Sequence, residues 1–137
     1  MNKMAEKKKT DDKTKLYLEY QLINQQLKEI QTRMQEIANQ LNEIMVTRQA
    51  VEEIPKTEKG TEILAPLAPG IFVKADLKDN KEFHINVGSK VVVTKSVEET
   101  KKLLTDQEAE IKGAEEQLAG QWQTLVIRLQ ELHQKLQ

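Results

Sequence analysis

The residues of this 137-residue chain that could do covalent or metal chemistry are few and scattered. His84 and His133 lie far apart on different segments, and with no cysteine present nothing completes a zinc-type ligand set. Neither a metal nor a cofactor is expected, and both imidazoles read as surface groups. Gly88-Ser89-Lys90 has the flavour of a phosphate loop, but it lacks the Gly-x-x-x-x-Gly-Lys-[Ser/Thr] pattern and leads into a strand rather than a helix. No nucleophile, base and orienting group converge, so the chain does not read as an enzyme. What remains is the chemistry of apolar surface.

Charged residues make up 31% of the chain but nearly cancel, leaving a formal net charge of −1. Such a balance creates no field that would recruit nucleic acid or an anionic membrane. No stretch approaches the ~18 consecutive apolar residues of a membrane span, and the Lys-rich start lacks a secretory apolar core. The absence of cysteine fits a reducing compartment, so a cytoplasmic location is expected. One Trp, two Tyr and two Phe are too few aromatics for a large globular core, so the apolar residues must be arranged linearly.

That arrangement is visible from Leu16 onward. Leu16, Tyr20, Ile23, Leu27, Ile30, Met34, Ile37, Leu41, Ile44, Arg48 and Val51 follow an unbroken 4-3 spacing, the seam of a coiled-coil helix over 16–54 with Arg48 its one polar member. Pro55 should end it. A second helix over 96–137 should begin at Ser96, which with Glu99 forms a Ser-x-x-Glu capping box. Its seam runs Val97, Thr100, Leu104, Gln107, Ile111, Ala114, Leu118, then slips by one residue to Trp122, Leu125, Leu129, Leu132 and Leu136. Such a slip is a stutter, and Trp122 is expected to fill the widened seam there. Gly113 and Gly120 lie off the seam, each costing about 1 kcal/mol relative to Ala.

Over 55–95 the period changes from 3.5 to 2. Ile63–Leu67, Ile71–Leu77, Phe83–Val87 and Val91–Val93 read as four short strands in two consecutive hairpins. Glu58-Lys59-Gly60 reads as a turn, Ala68-Pro69-Gly70 as the bend of the first hairpin and Gly88-Ser89 as a two-residue type II′ turn of the second. The seams can be tested against each other, because antiparallel helices face one another at positions of constant index sum. With a sum of 148, Val51 meets Val97, Ile44 meets Leu104, Ile37 meets Ile111, Met34 meets Ala114, Ile30 meets Leu118, Ile23 meets Leu125 and Leu16 meets Leu132, while Leu27 and Tyr20 miss by one, both beyond the slip. The fold class is therefore mainly α with a small β segment: a long antiparallel two-helix coiled coil, roughly 55 Å by helical rise, joined by two β-hairpins.

The stretch Ile63-Leu64-Ala65-Pro66-Leu67-Ala68-Pro69-Gly70-Ile71-Phe72-Val73-Lys74-Ala75-Asp76-Leu77-Lys78-Asp79, followed by Phe83-His84-Ile85-Asn86-Val87-Gly88, resembles the central β segment of archaeal prefoldin alpha subunits. Helix lengths, insert position and antiparallel phase agree, and two hairpins fit the alpha class. Ala68 stands where that family commonly has Gly, and Lys90 replaces the second glycine of a Gly-x-Gly turn. The resemblance implies an ATP-independent chaperone that holds unfolded polypeptides at coiled-coil tips and passes them to a group II chaperonin. It also implies a hexamer of two alpha and four beta-type subunits. Independently of it, isolated hairpins are marginal in water and their edges invite pairing, so oligomerisation is expected. Leu64, Leu67, Ile71, Val73, Leu77, Phe83, Ile85, Val87, Val91 and Val93 are the expected assembly residues.

Apolar residues off the seam concentrate near the chain termini: Tyr17, Leu18 and Leu22 on the first helix, Val126 and Ile127 on the second. They exceed what one seam can bury. With seam residues Leu16, Tyr20, Leu129, Leu132 and Leu136 they form the expected client-binding tip, against the blander reading of scattered surface hydrophobes. The rival reading of the whole chain is an oligomeric coiled-coil scaffold or spacer without client binding. Met1–Lys15 carries six Lys against three acids and is expected to be a disordered or frayed tail.

Overall fold

The computed structural model describes residues 3–137. Helix α1 spans Lys3–Glu53 and a single 3₁₀ turn, Ile54–Lys56, follows it. The strands are β1 (Glu62–Ala68), β2 (Ile71–Asp76), β3 (Glu82–Asn86) and β4 (Val92–Ser96), and helix α2 (Val97–Leu136) leaves β4 with no linker. No helix among the described residues is long and apolar enough to cross a membrane.

The Lys-rich start differs from expectation. Met1 and Asn2 lie outside the described residues, but from Lys3 to Lys15 the chain is helix, exposed at every residue, rather than a disordered or frayed tail. The segment contains no Gly or Pro, and its Ala, Glu and Lys are good helix formers, so nothing local stops α1 from extending outward. At the other end the helix stops at Glu53, two residues before Pro55, as the missing proline N–H requires.

Contacts divide the molecule into two units. The first joins α1 up to Gln40 with Glu110–Gln137 of α2. Its core is Ile23, Leu27 and Leu132, against which Leu16, Tyr20, Trp122, Leu125, Val126 and Leu129 pack. Residues 16–27 thus pack against residues 122–132, as antiparallel neighbours do. Trp122 is a seam residue, partly buried against that core.

The second unit, Leu41–Ala109, holds the β strands between the adjoining helix ends. β1 and β2 form one antiparallel pair, β3 and β4 another, and the two pairs are separate two-stranded sheets. A register shift between Pro66 and Ala68 marks a bulge at Leu67. At the bend, Gly70 has φ +80°, the positive value that the residue after proline needs in a type II turn. The second hairpin departs from the expected type II′ turn. Asn86 Oδ1 accepts the Gly88 N–H at 2.9 Å, and the Val91 N–H closes the turn on the Gly88 carbonyl at 2.9 Å. The reversal therefore falls one residue late, on Ser89 (φ +50°) and Lys90 (φ +63°), both in the left-handed region that a type I′ turn demands. Asn80 Nδ2 ties the connection between hairpins to the Thr57 carbonyl at 2.9 Å. The Ser96–Glu99 capping box is made in both directions, Glu99 N–H to Ser96 Oγ at 3.1 Å and Ser96 N–H to Glu99 Oε1 at 3.2 Å. Those bonds hold the Glu99 carboxyl below its usual range.

Candidate functional site

Every α1 seam position from Leu16 to Val51 is buried or half-buried, so the first heptad reading holds throughout. The second does not. Gln107 and Ala114, assigned to the α2 seam, are exposed, and the half-buried positions are Glu108 and Glu115. The stutter thus lies between Leu104 and Glu108, not between Leu118 and Trp122. Glu108 takes the inward place because Arg48 meets it: Nη1 to Oε2 is 2.6 Å, with both side chains about two-thirds or more covered. Helical side chains lean toward their own N-terminus. In an antiparallel pair that tilt brings Arg48 and Glu108 toward each other around the level of buried Ile44 and Leu104.

Near the chain termini the ten expected tip residues separate into three groups. Leu132 is completely buried, so it belongs to the core and offers nothing to a partner. Leu16, Tyr20, Val126 and Leu129 are partly buried against that core, and Leu136 is half-buried. Val126 therefore covers the flank of the seam instead of standing as surplus. Tyr17, Leu18, Leu22 and Ile127 are exposed, each by more than half.

The two flanks of this segment differ in chemistry. On one, Arg128 donates from Nε to Glu19 Oε1 at 2.7 Å, from Nη2 to Glu19 Oε2 at 3.0 Å and from Nη1 to Glu131 Oε2 at 3.1 Å. The Arg128 hydrogen bonds hold the Glu19 carboxyl below its ordinary value, and the carboxylate in turn raises the guanidinium. On the other flank Tyr20, Val126, Leu129, Gln130, His133 and Gln134 line a groove of about 480 Å³. A second hollow shares Tyr20 and His133 with it and is lined also by Tyr17, Leu136 and Gln137. His133, far from any metal-like set, contacts the Gln137 amide at 3.2 Å. His84 meets the cross-strand Thr94 hydroxyl at 3.2 Å.

In the β segment, six of the expected assembly residues, Leu64, Leu67, Ile71, Val73, Val87 and Val91, are exposed. Leu77, Phe83, Ile85 and Val93 are half-buried. Phe72 and Val92, at the alternate positions of β2 and β4, are also exposed, at 56% and 59%. A two-stranded sheet with no second layer bares apolar groups on both faces, which alternation alone does not reveal.

The family model described as "Prefoldin subunit" matches residues 23–137. The chain belongs to the prefoldin family. Prefoldin subunit alpha of Thermofilum pendens is 27% identical over 118 residues, covering 86% of this chain and 92% of that one. Prefoldin subunit alpha 1 of Methanocaldococcus jannaschii is 36% identical over 124 residues, covering 85% and 84%. A chain in the cryo-EM structure of filamentous prefoldin from Methanocaldococcus jannaschii matches with a TM-score of 0.77 at 12% identity, over 87% of this chain and 98% of that one. At that identity the likeness shows the prefoldin fold: two long helices and two small antiparallel strand pairs. Prefoldin is a chaperone family.

Proposed function

We propose that this chain is the alpha-type subunit of an ATP-independent holdase, gripping unfolded polypeptides at the coiled-coil end formed by residues 16–23 and 122–136 and handing them to a group II chaperonin. The observation that carries the reading is the apolar groove that Tyr17, Tyr20, Val126, Leu129 and Leu136 leave open at that end. Exposed apolar groups in the β segment serve assembly with beta-type partners, two alpha to four beta. A few half-buried contacts, at ~1.5–3 kcal/mol for a fully buried Leu, leave each tip with weak affinity after association costs. Several tips in one assembly convert weak contacts into useful holding through effective concentration.

The test is aggregation of guanidinium-denatured, reduced lysozyme diluted into buffer with and without the purified subunit, alone and with a beta-type partner. Suppression that is independent of ATP is expected. An intact oligomer that leaves the aggregation trace unchanged under both conditions would put the spacer reading ahead.

A further inference from the structure

We infer that client contact is confined to one flank of the tip, the Tyr17–Tyr20–Val126–His133 groove, and that this groove takes uncharged, extended apolar segments. The inference rests on the holding function proposed above and specifies its surface and its ligand.

The first argument is charge. Among the described residues lining the groove, no side chain is a carboxylate, ammonium or guanidinium; they are Tyr, Val, Leu, Gln and His. The charged side chains collect instead on the opposite flank, where Glu19, Arg128 and Glu131 satisfy one another. A charged segment entering the groove loses water without gaining a counter-charge, whereas an apolar one loses nothing. Tyrosine hydroxyls and glutamine amides at the rim can pair with the backbone of an extended chain.

The second argument is shape. Leu18 and Ile127 each stand two residues from a seam position on both sides, so they project roughly opposite the seam from a convex helix surface. Leu22, three residues after Glu19, lies on the charged side. Exposed as they are, these three present no concavity against which a segment could be desolvated on two sides. Tyr17 borders the groove. From Val126 to Gln137 the groove runs about 16 Å along the helix, the length of about five extended residues.

Two experiments on the full-length oligomer test this. p-Benzoylphenylalanine placed at Tyr17 should photocrosslink to denatured, reduced lysozyme, and at the adjacent Leu18 should not. In the holding assay, Q130E with Q134E and, separately, Q130K with Q134K should each weaken holding on the order of tenfold, because either sign of charge opposes a neutral occupant. The triple change Leu18→Ser, Leu22→Ser, Ile127→Ser should stay within about twofold. Crosslinking from 18 rather than 17, loss of holding only in the triple variant, or opposite responses to the two charge signs would overturn the inference while leaving the holdase reading standing. Failure of the unmodified protein to hold or crosslink lysozyme at all would remove both. Oligomer mass and helicity are read on every sample, and the crosslink at 17, which replaces one aromatic by another, decides if a charge variant misassembles.

Discussion

Replacing Arg48 and Glu108 tests whether α2 presents Glu108 rather than Gln107 to the seam. Their side chains are 30% and 25% exposed, between a surface ion pair, worth ~0.2–1 kcal/mol, and a fully buried pair, whose disruption costs ~3–5 kcal/mol. Arg48→Ala, which takes the 2.6 Å partner from Glu108 and the aliphatic stem from the seam, is therefore expected to cost about 1–2 kcal/mol. The joint change Arg48→Leu, Glu108→Leu should be neutral to stabilising by up to ~2 kcal/mol, since two apolar side chains then occupy seam positions without desolvating charge. Gln107→Leu, at an exposed position, should lie within about 0.5 kcal/mol of the parent. Urea unfolding followed by helical circular dichroism, at one fixed protomer concentration because assembly shifts apparent stability, measures all three. A Gln107→Leu protein more stable than the Arg48→Leu, Glu108→Leu protein would refute the phase and restore a seam through Gln107.

Leu132→Ala removes a side chain with no solvent exposure and should cost roughly 3 kcal/mol in the same unfolding assay. Lys90→Gly relieves a left-handed residue at φ +63° and should stabilise by about 0.5–1 kcal/mol, read as a raised denaturation midpoint; a lowered midpoint would argue against the type I′ turn. The Arg128 hydrogen bonds hold the Glu19 carboxyl below the ordinary carboxylate range, so its contribution is complete above that range and disappears as pH falls through the lower folded value. Melting between pH 6 and 2.5 should accordingly show a smaller acid loss in Glu19→Gln than in the parent.

From Leu16 to Val51 the first helix was legible because its seam is apolar at every position but Arg48, so period and burial carry the same information; its extension over Lys3–Lys15, exposed at every residue, has no seam to read. In α2 they separate. Reading for apolarity prefers Ala114 to Glu115 and gives no reason to choose Glu108 over Gln107, yet a charged side chain with an aliphatic stem can occupy a seam when a partner meets its head. The hairpins were readable from their alternation, but the second turn was not. It depends on the Asn86 side chain capturing the Gly88 N–H, an interaction outside any glycine-based turn rule. At the tip, composition located the surplus apolar residues and could not sort them. Whether Val126 or Tyr17 lies against a groove or in open solvent depends on the phase of the opposite helix.

The long-range ion pairs also bear on the order in which the chain closes. Arg128 and Glu19 are 109 residues apart in sequence, whereas Arg48 and Glu108 span roughly half that loop. Each hairpin closes over a few residues, and helix pairing that starts beside the strands shortens every later loop, so the coiled coil should zip toward the termini. By the same logic the Glu19–Arg128 end has the least pairing beyond it to hold it shut. Its amides should exchange with solvent fastest of any in the buried seam, and the aromatic groove belongs to the part of the molecule that is last to close and first to open.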